Sequence, residues 1–249
     1  MRRLLFAANW KMHFGPKETR EFAGRFLPLV SPGKDRDVWF FPPAVSLVAA
    51  AEAFQGRSDI RIGAQDVHWE SKGAFTGAIS PQLAQSAGAT ASLVGHSERR
   101  RLFGETDEQI GRKVRALLKA ELTPVLCVGE TLTEREANQT VAVVERQLEA
   151  ALKSLSGAQI EKLVIAYEPV WAIGTGKNAT PEDAAIVHQA IRANLAARGV
   201  TGRLRILYGG SVTTTNALVL LAQEELDGVL VGGASLDAEA WAEIVGLGA

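Results

Sequence analysis

Short apolar runs alternate with longer stretches in which apolar residues return every three or four positions, and this alternation repeats along the chain. The short runs are Leu4 to Ala8, Asp37 to Phe41, Ile60 to Ala64, Ala91 to Gly95, Thr123 to Val128, Leu163 to Tyr167, Arg205 to Tyr208 and Gly228 to Val231. They are aliphatic or β-branched and mostly apolar on both faces, as parallel strands are when helices cover them. Helix starts lie between them. Thr106-Asp107-Glu108-Gln109 and Thr131-Leu132-Thr133-Glu134 have capping-box spacing: the hydroxyl accepts from a free N–H, and the fourth side chain reaches back. Ser80-Pro81 and Thr180-Pro181 place a capping hydroxyl before a proline at the first helical position, where a missing N–H is no loss. From Glu134 to Leu155, the residues Ala137, Val141, Val144, Leu148 and Leu152 recur with helical period and predict a core face.

A series of strand–helix units permits a closed barrel or a doubly wound open sheet. No Rossmann glycine fingerprint follows an early strand. Near-even spacing and a length of 249 residues favour one α/β domain over residues 1–249, a single (β/α)8 TIM barrel. Hydrophobic residues make up 47% of the chain, enough for a full core without disulfides. The formal net charge of −1 argues against nucleic acid or a membrane surface as partner, so any anion site must be built locally. Cys127 is the single cysteine, which excludes an internal disulfide and suits a reducing cytoplasm. Its apolar strand predicts a buried structural thiol. The start, Met1-Arg2-Arg3-Leu4, lacks the long apolar core and cleavage site of a signal peptide, and no apolar run is long enough to span a bilayer.

In such a barrel the chemistry sits at the C-terminal ends of the strands, so the residues just after each run are the candidates. The first run leads into Asn9-Trp10-Lys11 and the fourth into His96-Ser97-Glu98-Arg99-Arg100. The sixth leads into Glu168-Pro169-Val170-Trp171-Ala172-Ile173-Gly174-Thr175-Gly176-Lys177. The seventh and eighth give Gly209-Gly210-Ser211 and Gly232-Gly233-Ala234. A lysine, a histidine, a glutamate and three glycine-rich turns therefore point at one mouth.

These segments resemble, in order, the signatures of the triosephosphate isomerase family from Asn9 to Gly233, and the stretch from Glu168 to Gly176 is the most specific of them. The resemblance implies interconversion of dihydroxyacetone phosphate and glyceraldehyde 3-phosphate through an enediolate, with no metal or redox cofactor. Moving a proton between adjacent carbons needs one base, and a carboxylate shielded from water serves well; Glu168 is the candidate. His96 would donate to the enediolate oxygens, and the helical segment begun by Ser97 and Glu98 disfavours an imidazolium there. Lys11 supplies positive charge, Asn9 an amide donor, and Glu98 pairs with the lysine. Backbone N–H groups of Gly174, Ser211, Gly232 and Gly233 would hold the phosphate. Val170 to Lys177 reads as a lid, with Gly174 and Gly176 tolerating its change of dihedrals. Gln65 to Ser80, with Phe75 and Thr76 at its tip, resembles the family's interdigitating loop and implies a homodimer. Two residues depart from the family pattern. Ala8 stands where glycine is frequent, adding a methyl near the barrel lining, and His13 stands where asparagine is common.

Overall fold

The computed structural model describes residues 3–173, 179–202 and 204–248. Strands β1 (Leu4–Asn9), β2 (Arg36–Phe41), β3 (Ile60–Ala64), β4 (Ala91–Val94), β5 (Thr123–Val128), β6 (Val164–Tyr167), β7 (Ile206–Tyr208) and β8 (Gly228–Val231) pair in parallel in sequence order. β1 closes the barrel against β8. These are the runs read from the sequence, each end within one residue. The helices are α1 (Pro16–Phe26), α2 (Leu47–Ala53), α3 (Pro81–Ser86), α4 (Ser97–Phe103), α5 (Asp107–Lys119), α6 (Leu132–Glu136), α7 (Thr140–Leu152), α8 (Gly157–Ile160), α9 (Pro181–Ala197), α10 (Ala217–Leu221) and α11 (Ala238–Gly246). No helix among the described residues is long and apolar enough to cross a membrane.

The alternation of side chains along each strand sorts the core into two layers. Leu5, Ala7, Trp39, Phe41, Leu93 and Cys127 belong to the cluster that fills the barrel. Phe6, Ala8, Val38, Phe40, Val94 and Leu126 point the other way and meet the helices. Ala8 is thus fully buried in the outer layer, so its extra methyl does not intrude on the barrel interior. Burial pushes the Cys127 thiol well up, with the nearby Glu168 carboxylate adding to the effect, and this suits an inert structural residue.

Register brings the strand ends level. Asn9 pairs with Phe41, Ala8 with Val231, Val128 with Tyr167, and Tyr167 with Tyr208. The segments that follow therefore leave from a common rim.

Local signals set the helix starts. Ser80 accepts from the Leu83 N–H, and Thr106, Thr131 and Thr180 each form a reciprocal capping box. The stripe predicted between Glu134 and Leu155 needs correction. α6 ends at Glu136, Asn138 takes a left-handed φ of 56°, and α7 starts afresh at Thr140. Val144, Leu148 and Leu152 are buried as expected, but Ala137 and Val141 are exposed. Asparagine tolerates the left-handed region better than most residues, and the two helices happen to continue one apparent period across the break.

Replacing Val141 by threonine should change stability by no more than about 0.5 kcal/mol. Leu148→Ala should cost about 2–5 kcal/mol. Denaturant unfolding of the two variants checks the difference between the faces.

Candidate active site

Lys11 is held from three sides. Trp10, fully buried, donates its indole N–H to the Ser235 carbonyl at 3.2 Å and packs edge-on against Phe22 with centroids 4.9 Å apart. The Asn9 Oδ1 accepts from the Lys11 N–H at 3.0 Å, and Gln65 Nε2 donates to the Lys11 carbonyl at 2.7 Å. These contacts keep Lys11 at a φ of 50°, a left-handed backbone that costs a side-chain-bearing residue about 1–3 kcal/mol. The ammonium reaches the Glu98 Oε1 at 2.6 Å. Burial would raise the Glu98 carboxyl, but the hydrogen bond and charge of Lys11 hold it below its ordinary value.

His96 and Glu168 meet at the start of α4. His96 caps this helix: its Nδ1 accepts from the Glu98 N–H at 3.2 Å. A ring nitrogen that accepts a backbone N–H carries no proton, so this contact favours the tautomer with its proton on Nε2. The Glu98 carboxylate lies 3.7 Å from Nδ1, too far for a hydrogen bond. Nε2 faces the Glu168 Oε1 at 3.0 Å. The other oxygen of Glu168 accepts from the Ser97 N–H at 2.8 Å. Glu168 and His96 are both buried, at 2% and 6% exposure, so their mutual orientation is set by protein groups rather than by solvent.

Glycines allow the main chain of Glu168 to sit this deep. A Cβ on Gly129 would lie 1.8 Å from the Glu168 carbonyl oxygen, and one on Gly209 would lie 2.9 Å from its Cγ. Beyond Glu168, Val170–Ala172 form a short 3-10 turn. Glu130 anchors it by accepting from the Trp171 indole at 2.8 Å and the Tyr167 hydroxyl at 3.1 Å. Burial raises the Glu130 carboxyl above its ordinary value despite these donors.

The pair opens on a cavity of about 280 Å³ lined by Asn9, Lys11, His96, Glu168, Ser211, Gly232 and Gly233 among others. Seven of the eight residues assigned to catalysis or substrate binding from sequence thus share one cavity. The eighth, Gly174, lies outside the described residues, as does the lid from Gly174 onward. Gly232 approaches the Lys11 side chain, and Gly233 begins the 3-10 turn Gly233–Leu236. Ile173, within the signature stretch after Glu168, also lines the cavity, as do Thr213 and Leu230, which sequence reasoning did not single out. Leu230 could have been found from inward strand parity; nothing local marks Thr213. Gln65 and Glu130 also escaped notice, because their partners are distant in sequence.

The chain matches the triosephosphate isomerase family over residues 4–247. It is 48% identical to the triosephosphate isomerase of Solibacter usitatus over 248 residues, covering 98% of this chain and 99% of that protein. It is 49% identical to those of Aquifex aeolicus, over 98% of this chain and 99% of that protein, and of Roseiflexus sp., over 98% and 97%.

The depressed Glu98 carboxyl gives the Lys11–Glu98 pair a pH signature. A folded-state value below the unfolded one stabilises the fold above the unfolded value, and that stabilisation is lost as pH falls through the folded value. Glu98→Gln should therefore lower Tm at about pH 7 and approach the wild type at about pH 3; paired thermal melts across that range measure it.

Proposed function

The chain belongs to the triosephosphate isomerase family and interconverts dihydroxyacetone phosphate and glyceraldehyde 3-phosphate; we propose that Glu168 is the base, His96 the electrophile, and Lys11 and Asn9 the electrostatic support. The observation that carries this assignment is the His96 Nε2–Glu168 Oε1 approach of 3.0 Å at a buried barrel mouth. A substrate entering between them takes over the Nε2 donor, which leaves a carboxylate oxygen facing a carbon-bound proton. Glu168 removes the proton from C1 of the ketose, and the C2 carbonyl becomes an enediolate oxygen. Returning the proton to C2, while the hydroxyl proton leaves O1 and O2 gains one by way of the His96 Nε2, yields the aldose. His96 donates in turn to the two oxygens. A neutral donor suits this role because its N–H stays on the ring until charge develops on the substrate.

Lys11 stabilises both the phosphate and the enediolate, and its link to Glu98 fixes where the ammonium sits. The N–H groups of Gly232, Gly233 and Ser211 cradle the phosphate, joined by Gly174 when the Val170 to Lys177 segment closes over the site. Closure excludes water and protects the enediolate from losing phosphate. The barrel over residues 1–249 acts as one catalytic domain, and the cytoplasm is its working compartment, a reading supported by the lone reduced thiol.

The active form is a homodimer in this reading. Phe75 is 44% exposed at the tip of its loop beside Thr76, while Met12, Val45 and Phe103 are 94%, 74% and 69% exposed. In this reading a second copy of the chain covers these exposed apolar side chains. A cavity of about 460 Å³ lined by Gln65, Trp69, Arg99 and Phe103 could receive the partner's loop. Gln65 connects that cavity to the catalytic lysine through its bond to the Lys11 carbonyl.

Turnover of glyceraldehyde 3-phosphate in chelator-treated buffer tests the assignment of the base. Wild type should be fast, and Glu168→Asp should lose at least about 10²-fold in kcat; a variant at full rate would exclude Glu168. Sedimentation equilibrium should give a dimer, and a monomer that keeps full activity on dilution would contradict the assembly.

A further inference from the structure

α7 carries one buried polar side chain on its apolar face. Gln147 is 5% exposed, with Val143, Val144, Leu148 and Ala151 buried around it. Its Oε1 accepts from the Gly129 N–H at 2.8 Å, and its Nε2 donates to the Gly129 carbonyl at 3.1 Å. A side-chain amide has one acceptor and a donor group in a plane, so it can grip both polar groups of one residue as a neighbouring strand would. Gly129 lies just past β5, beyond the last pairing with β4, that of Leu126 with Val94, and on the side facing away from the bonds that Val128 and Glu130 make to the chain after β6. The strand partner runs out here, and Gln147 replaces it.

The gripped residue sits between two carbonyls that hold the main chain around the base. Val128 accepts from the Glu168 N–H at 2.8 Å, and Glu130 accepts from the Val170 N–H at 3.1 Å. Gly129 itself packs so closely on Glu168 that no Cβ fits between them. A shift of Gly129 must therefore move Glu168.

We propose that Gln147 is a positioning residue for the isomerisation, fixing the main chain of Glu168 through Gly129 and so aiming its carboxylate. The proposal rests on Glu168 being the base. Gln147 reaches neither the phosphate cradle nor Lys11, so its removal acts on the proton-transfer step alone. A misplacement of about 1 Å in a reacting group can cost about 10²-fold in rate.

Three variants test this in the full chain: Gln147→Met, which keeps length and bulk without the hydrogen bonds; Leu148→Ala, which destabilises the same helix; and Glu168→Asp. The readouts are kcat and KM per folded molecule and competitive inhibition by inorganic phosphate. Gln147→Met should lose about tenfold or more in kcat, with KM and phosphate inhibition within about twofold of wild type. Leu148→Ala should keep kcat despite a lower Tm. A Gln147→Met enzyme at wild-type kcat, or one whose loss is matched by Leu148→Ala, overturns the proposal. If Gln147→Met does not accumulate as folded protein, Gln147→Asn replaces it: its amide stops one methylene short of Gly129, and the same readouts decide. Glu168→Asp at full rate would instead overturn the base itself. A slow Glu168→Asp beside a normal Gln147→Met removes only the role of Gln147.

Discussion

Two backbone N–H groups at the first turn of α4 organise the mouth of this barrel. One, from Ser97, binds the Glu168 carboxylate; the next, from Glu98, binds Nδ1 of His96. Helix starts always leave such donors without intrahelical partners. Here they bind the proposed base and the proposed electrophile instead of an ordinary serine or threonine cap. The same two bonds bring the side chains face to face and choose the histidine tautomer that can donate toward the substrate. The Glu98 side chain then returns across the mouth to Lys11. A single turn of helix thus touches Glu168, His96 and Lys11.

Everything around that turn resists movement. The strands end level, so Lys11, His96 and Glu168 leave from one rim. Lys11 keeps a strained backbone because Trp10, Asn9 and Gln65 hold it there. Glu168 is wedged against glycines on two sides. Strain and close approach of this kind tend to gather where function needs a fixed geometry. Glu130 anchors the turn after Glu168 through side-chain bonds to Trp171 and Tyr167.

Much of this was legible in the sequence because each feature had a local cause. Short two-faced apolar runs gave the strands, and hydroxyl-led caps gave the starts of α3, α5, α6 and α9. The candidate segments could be picked out because barrel chemistry follows strand ends, and their residues line one cavity. What remained hidden depends on contacts between distant residues. Gln65, Glu130 and Gln147 look like ordinary polar residues until the fold sets them beside Lys11, Trp171 and Gly129. Periodicity misled at Ala137 and Val141 because it records angular position but not a break in the helix; the left-handed Asn138 supplies that break.

The contacts at the start of α4 favour a His96 ring with its proton on Nε2 before any substrate arrives. Nitrogen-15 NMR of labelled imidazole in the free enzyme at neutral pH reads this directly. His96 should show an unprotonated Nδ1 and a protonated Nε2, in wild type and in Glu168→Asp alike. Two protonated nitrogens, or a proton on Nδ1 alone, would mean that the Glu98 N–H does not set the tautomer.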